Sequence, residues 1–454
     1  MANNKGDQLK RDDESYLEYK QRVLDTKSAT FCGAKWYYAT VWLNTGQTTA
    51  CHHPLPHQVN DYDVVNNPKL LSNTPQKKKE RREMLDGVRC KGCDYCWRAE
   101  DSGPNVVSDR VYKSVAYTEN DLMEAYTSDP NHDFDLRYLE ISFDRTCNFA
   151  CSYCNPAFST TWARDIKQNG PYQEIGQDGH NHYGHAHDQA SRYDGKTNPF
   201  VDAFFKWWES DLHKTLQYLR LTGGEPLMSP HTWTLLDWLE NQTHNLKYFA
   251  INTNLIAKQS LVEKLINKSK QVDCIHIYTS NESVGNKSEY IRDGMDWNQW
   301  QQNFLAVIES NTFAASNVMC TITATSLDGL IDFLDWSVSI KKKYGNNHCL
   351  FTLNLLRFPA YQSVLILPQH MRNMYDEQLT VWLHNNETHL HGMESEHVKR
   401  LITYLENPDN KYDEQQLIDS QKYFKRYHQQ YDTRRKKSFE KTFSKEMVEW
   451  YNGL

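Results

Sequence analysis

The chain has 454 residues, 39% hydrophobic and 24% charged, with 11 cysteines and a formal charge of -7. This is an ordinary globular composition with enough apolar material for a large core and two or three domains, and its net charge gives no overall attraction to nucleic acid. Mean hydropathy is -0.79, no apolar run reaches membrane-spanning length, and residues 1–28 lack the apolar stretch of a secretory signal, so a cytoplasmic protein without a membrane partner is expected.

In chain order, residues 1–30 form a polar N-terminal segment and residues 31–110 a Cys-rich module. Residues 36–43 and 47–51 read as a hairpin turning at Asn44-Thr45-Gly46, where Asn and Gly supply positive-φ positions. Thr74 and Pro75 then start a helix as N-cap and first-turn proline, and Gly87 ends it. Cys90, Cys93 and Cys96 follow, and with Cys51 from the hairpin they make a four-thiolate site. Cys32, His52 and His53 are replacement ligands should Cys51 not bind. In a long intracellular chain such clusters point to metal rather than disulfides. A zinc ribbon is the alternative, although a CxxCxxC run crowds three ligands more tightly than a ribbon's two separated knuckles.

Residues 135–369 carry short apolar runs alternating with helix-like segments, the pattern of βα units and a parallel sheet. The predicted strands are 138–143, 216–221, 248–252, 273–279, 319–324 and 349–355, which suit an α/β fold built as a partial (β/α)6 barrel. A parallel barrel places its chemistry on the loops leaving the C-terminal ends of its strands. The first strand runs into Cys147, Cys151 and Cys154, and the second into Gly223-Gly224-Glu225-Pro226. Three thiolates at CxxxCxxC spacing can hold a 4Fe-4S cube and leave its fourth iron free for a substrate molecule.

Residues 167–199 read as an inserted polar loop or lid, in which His180, His182, His185 and His187 have spacings that suit a divalent metal without a carboxylate or Cys framework to define one. Cys274, Cys320 and Cys349 fall in strands and read as buried free thiols. Residues 370–454 form a helical C-terminal region. Between Lys422 and Lys445, basic residues interleave with Tyr423, Phe424, Tyr427, Tyr431, Phe439 and Phe443. That mixture can grip a nucleic acid strand, but an amphipathic closing helix is the favoured reading.

Cys147, Cys151 and Cys154, with Tyr153 before the last cysteine and Gly223 to Pro226 after the next strand, resemble the radical S-adenosylmethionine (SAM) superfamily. The segments around Cys154 to Ser159, Ser280 to Gly285 and Glu289 to Arg292, together with the N-terminal cysteines, resemble its subgroup with a twitch or SPASM-type auxiliary cluster. The auxiliary module here precedes the barrel instead of following it, as though the chain were permuted. The resemblance implies two 4Fe-4S clusters, one at Cys147, Cys151 and Cys154 and an auxiliary one at Cys51, Cys90, Cys93 and Cys96. It implies reductive cleavage of SAM to a 5′-deoxyadenosyl radical, hydrogen abstraction from a substrate, and a reductant such as flavodoxin or ferredoxin. It leaves the enzyme type, oxidoreductase or transferase, unresolved. Gly223, Gly224, Glu225 and Pro226 would meet the SAM amino group, with Glu225 orienting the turn or accepting from the ammonium. Ser280 and Arg292 would contact its ribose and carboxylate, and Asn252 and Asn254, leaving the third strand, would contact SAM or substrate. Glu282 stands where many relatives carry Asp. The implied substrate is a peptide or protein side chain, with a nucleotide, nucleic acid base or small metabolite as the alternative. A non-catalytic iron-sulfur or zinc protein is the rival from another class.

Overall fold

Among the described residues eleven strands are interspersed with helices: β1 (Tyr38–Trp42), β2 (Gln47–Thr49), β3 (His57–Gln58), β4 (Tyr138–Ser142), β5 (Ala150–Cys151), β6 (Tyr218–Thr222), β7 (Tyr248–Thr253), β8 (Ile275–Ser280), β9 (Arg292–Asp293), β10 (Ala315–Ile322) and β11 (Leu350–Leu355). The computed structural model describes residues 9–176, 183–184, 190, 192–407 and 411–454. The fold is mixed α/β with a large, mainly parallel sheet. Among the described residues no helix is long and apolar enough to cross a membrane. His180, His182, His185 and His187 lie outside the described residues.

Contacts gather into two units, Met1–Asp144 with Ser191–Gly223 and Asn241–Phe249, and Arg145–Ala190 with Gly224–Glu240 and Ala250–Leu454. In the first unit the strand order is β3-β2-β1-β4-β6. The expected hairpin is present, and its β1 pairs in parallel with β4 over Tyr38↔Tyr138 to Trp42↔Ser142. The hairpin therefore extends the sheet at the first predicted barrel strand. Alternation explains the pairing: Leu139, Ile141, Leu219 and Leu221 bury one face, while Tyr138, Glu140, Tyr218 and Arg220 stand half-buried on the other. On that second face Tyr138 stacks on Tyr38 at 4.6 Å and on Tyr218 at 5.3 Å. The helix Pro75–Leu85 begins as expected, Thr74 accepting from the Lys77 amide, and Gly87 follows it at φ +75°.

In the second unit β7, β8, β10 and β11 lie side by side in that order, with parallel registers from β8 to β10 and from β10 to β11. β10 starts four residues before the predicted 319, because Ser316 and Asn317, which resemble turn residues in sequence, are buried within the strand. It ends early because Thr323 caps the next helix, Ala324–Tyr344, in a capping box with Ser326.

The C-terminal region is helical, as expected. The helix Glu414–Arg435 buries Phe424, Tyr427, His428 and Tyr431, and Arg435 lies over the Trp162 ring at 4.3 Å. Arg434 and Arg435 also pair with Asp165, at 3.3 Å and 3.6 Å. The aromatic side of this segment is thus spent on internal packing, and the amphipathic closing helix is the reading that fits.

Burial holds His428 neutral and drives its pKa down to about 3. The unfolded imidazole takes up its proton near pH 6.5, whereas the folded one resists until about pH 3. The stability it contributes is therefore complete above pH 6.5 and is lost as pH falls toward 3, at about 1.4 kcal/mol per pH unit. Urea denaturation across pH 7 to 4.5 should show this slope, reduced by about one proton in His428→Gln. An identical slope in that variant would contradict it.

Candidate functional site

The loop after β4 is pinned before any cofactor is considered. The Cys147 amide donates to Thr160 Oγ1 at 3.1 Å, and Thr161 Oγ1 donates to the Cys147 carbonyl at 2.7 Å. Ser159 Oγ donates to the Phe149 carbonyl at 2.6 Å and Trp162 Nε1 to the Cys151 carbonyl at 2.9 Å. The helix Thr160–Asn169 therefore acts as a clamp on the cysteine loop. The Ser152 carbonyl accepts from Gln362 Nε2 at 2.8 Å and from the Tyr427 hydroxyl at 2.5 Å, and Tyr431 donates to the Ala150 carbonyl at 3.3 Å. The C-terminal helix thereby helps to fix this loop.

All eleven cysteines are free thiols. Burial pushes Cys151 up to about 11 and Cys154 up to about 12, and it raises Cys147 as well, with the neighbouring thiols adding to the rise on Cys147 and Cys154. Such crowding of buried thiols is costly as thiolates alone and becomes favourable with a cationic centre among them.

The glycine turn nests on the same loop. The Glu225 amide donates to the Thr146 carbonyl at 2.6 Å. A Cβ on Gly224 would collide with the Thr146 carbonyl oxygen and stand 2.6 Å from that of Arg145, so only glycine allows this approach. Gly223 sits at φ +111°, where a side chain would be strained. Pro226 opens the short helical turn Pro226–Met228. Glu225 is buried and orients the turn: it accepts from Thr253 Oγ1 at 2.6 Å, the Asn254 amide at 2.6 Å and the Leu227 amide at 3.0 Å. Glu225→Gln turns one of these acceptors into a donor, so a loss of about 1–3 kcal/mol is expected in chemical denaturation, and an unchanged midpoint would count against it.

The remaining residues divide. Asn254 Nδ2 donates to Asn148 Oδ1 at 2.7 Å and Asn148 Nδ2 to the Ile256 carbonyl at 3.1 Å, joining the cysteine loop to the end of β7. Asn148 gave no signal in sequence beyond its place between two cysteines. Asn252 donates to Met319 Sδ at 3.6 Å, and Ser280 ends β8 half-buried opposite Met319. Arg292 is buried, with Nε donating to Glu282 Oε2 at 2.7 Å and Nη1 to Cys151 Sγ at 3.7 Å. Its guanidinium also lies 5.4 Å from the Tyr153 ring centre.

Cys32, Cys51, Cys93 and Cys96 line a small cavity together with Lys35, Arg110 and Lys113. Cys90 is buried and is not among the lining residues; its interaction with Cys93 lowers its own thiol and raises that of Cys93. Burial pushes Cys32 up to about 12 and Cys96 up to about 11, and Cys32 also feels Cys93, Cys96 and Cys51. Three cations are held at this wall, Lys35 by Glu80 at 2.5 Å, Lys113 by Asp109 at 2.8 Å and Arg110 by Glu100 at 2.7 Å. His53 is tied to the same Asp109 at 2.7 Å. Cys32, only a substitute in the sequence reading, thus faces the cavity with three of the four expected thiols. It lies outside the close CxxCxxC run, and its place just ahead of the hairpin marked it in sequence only as a replacement ligand. Among the described residues no three His, Cys, Asp or Glu side chains converge on a single-ion position.

No family model matches the chain, and no curated protein matches it. Among solved structures it is similar to Streptococcus suis SuiB bound to precursor peptide SuiA, with 14% identity, a TM-score of 0.36 and coverage of 76% of this chain and 68% of that one. SuiB bound to S-adenosylmethionine gives 15% identity, a TM-score of 0.34 and coverage of 76% and 69%. Native anSMEcpe with bound AdoMet gives 12% identity, a TM-score of 0.33 and coverage of 55% of this chain, which spans 61% of that one. All three likenesses are distant.

Proposed function

We propose that the chain is a radical SAM enzyme with a partial (β/α)6 barrel over residues 135–369, an N-terminal auxiliary module over 31–110 and a helical region over 370–454. Cys147, Cys151 and Cys154 would hold a 4Fe-4S cluster, and SAM would complete its fourth iron. The carrying observation is the nesting of the glycine turn on the carbonyls of Arg145 and Thr146, immediately before Cys147, with Glu225 locking the turn. This brings the two motifs together at one place in the fold, as the superfamily's chemistry requires.

When bound, the cluster would supply one electron to the SAM sulfonium and so yield a carbon radical able to take hydrogen from a substrate. The protein's part is orientation. Glu225 fixes the turn through three hydrogen bonds, so the backbone of Gly223 and Gly224 meets the SAM amino group while the Glu225 carboxylate is already occupied. Asn252 and Ser280 leave neighbouring strand ends half-buried and suit polar contacts to SAM or substrate.

The N-terminal cavity would hold the auxiliary 4Fe-4S cluster, with Cys32 joining Cys51, Cys93 and Cys96 among its thiols and Cys90 beside them. Lys35 and Lys113 would offset its negative charge. The crowded Cys90, Cys93 and Cys96 run favours this over a zinc ribbon's two separated knuckles. The substrate is a peptide or protein side chain, and the electron comes from a cytoplasmic donor such as flavodoxin or ferredoxin. The internal packing of Phe424, Tyr427 and Tyr431 supports this reading over a nucleic acid substrate. Electron paramagnetic resonance of the dithionite-reduced protein tests the open iron: SAM should change the signal, and a signal indifferent to saturating SAM would contradict the assignment.

A further inference from the structure

Cys151 and Arg292 face each other across the two-stranded antiparallel ladder β5–β9, in the register Ala150↔Asp293 and Cys151↔Arg292. Directly opposed residues of such a pair project to the same face, so the backbone itself brings the guanidinium to the thiol. The Ser152 amide donates to the Ile291 carbonyl at 2.7 Å and closes the ladder. Tyr431 ties β5 to the helix that leads into β9, its hydroxyl 3.0 Å from the Tyr290 carbonyl and 3.3 Å from that of Ala150.

Three contacts fix the guanidinium: Glu282 Oε2 at 2.7 Å, Cys151 Sγ at 3.7 Å, and the Tyr153 ring at 5.4 Å. Arg292 is 4% exposed and Glu282 is fully buried. A buried ion pair is weak evidence for stability, because desolvation consumes much of its Coulomb gain, so its retention against a ligand thiol asks for another reason. The family likeness directs Arg292 to the SAM carboxylate, whereas here one of its nitrogens is already directed at sulfur.

We propose that Arg292 is a positioning residue that sets the reduction potential of the cluster at Cys147, Cys151 and Cys154 by donating to Cys151, with Glu282 moderating its charge. This rests on the reading of that loop as a cluster site. One-electron reduction makes the cluster more negative, and a cation and hydrogen-bond donor at a ligand sulfur stabilises that state and raises the potential. Glu282 opposes the effect. The two residues therefore act in opposite directions, which a purely structural ion pair would not do.

The test is a dithionite-poised redox titration of the anaerobic full-length protein without SAM, followed by electron paramagnetic resonance, with Cys51→Ser, Cys93→Ser and Cys96→Ser background substitutions to silence the N-terminal site. Arg292→Gln should lower the midpoint and Glu282→Gln should raise it, at unchanged iron content. Arg292→Lys keeps the charge and should stay closer to the parent than Arg292→Gln. If Arg292→Gln fails to hold iron, the opposed shifts of Glu282→Gln and Arg292→Lys carry the test. Midpoints indifferent to these substitutions, or shifted in one common direction, would overturn the proposal. Weakened SAM binding at an unchanged SAM-free midpoint would also overturn it and return Arg292 to the SAM carboxylate. A parent protein without iron would instead defeat the cluster reading itself.

Discussion

Cys151→Ala is expected to reduce formation of 5′-deoxyadenosine from SAM by at least about a thousandfold, equivalent to about 4 kcal/mol of barrier. A three-thiolate site that loses one ligand has no geometry left for a cube with a single open iron. The fold should survive the change, because the loop is held by its backbone: the Cys151 carbonyl accepts from Trp162 Nε1 and from the Cys154 amide at 3.0 Å, and neither bond needs the thiol. Circular dichroism and thermal midpoint should stay close to wild type while iron content falls by about four per chain. Cys274→Ala, outside both thiol groups, should retain activity. Abundant 5′-deoxyadenosine from Cys151→Ala would remove the loop from the reaction.

Cys32→Ser is expected to empty the N-terminal site, lowering total iron from about eight to about four per chain without loss of the SAM-responsive resonance. Cys32 faces the cavity with Cys51, Cys93 and Cys96, whereas Cys90 is not among its lining residues. Cys90→Ser should therefore retain more iron than Cys32→Ser. The reverse order would restore the ligand set expected from the CxxCxxC run alone. Stoichiometric zinc with about four iron would indicate a zinc module.

The difference between these two thiol sets marks what sequence can convey. Cys147, Cys151 and Cys154 lie within one turn of chain, and the strand before them carries a clear period-two pattern, so their grouping was legible. Cys32 reaches its partners through the hairpin and the helix Pro75–Leu85, a tertiary closure that no local spacing records. The same holds for Arg292. A ladder only two residues long has no periodicity, so its facing of Cys151 emerges only once β5 and β9 meet. Glu225 shows an intermediate case: its place in the turn was legible, whereas its commitment to Thr253 and Asn254 depended on β7 arriving beside it. In the basic aromatic segment 422–445 the favoured reading from sequence, an amphipathic closing helix, fits the inward packing of Phe424, Tyr427 and Tyr431.

The most direct measurement is chromatographic analysis of the wild-type protein, reconstituted anaerobically with iron and sulfide and incubated with dithionite and SAM. Formation of 5′-deoxyadenosine and methionine in equal amounts, dependent on reductant, is the predicted result. Absence of 5′-deoxyadenosine from protein that carries its full iron and binds SAM would contradict the assignment of Cys147, Cys151 and Cys154 to SAM cleavage.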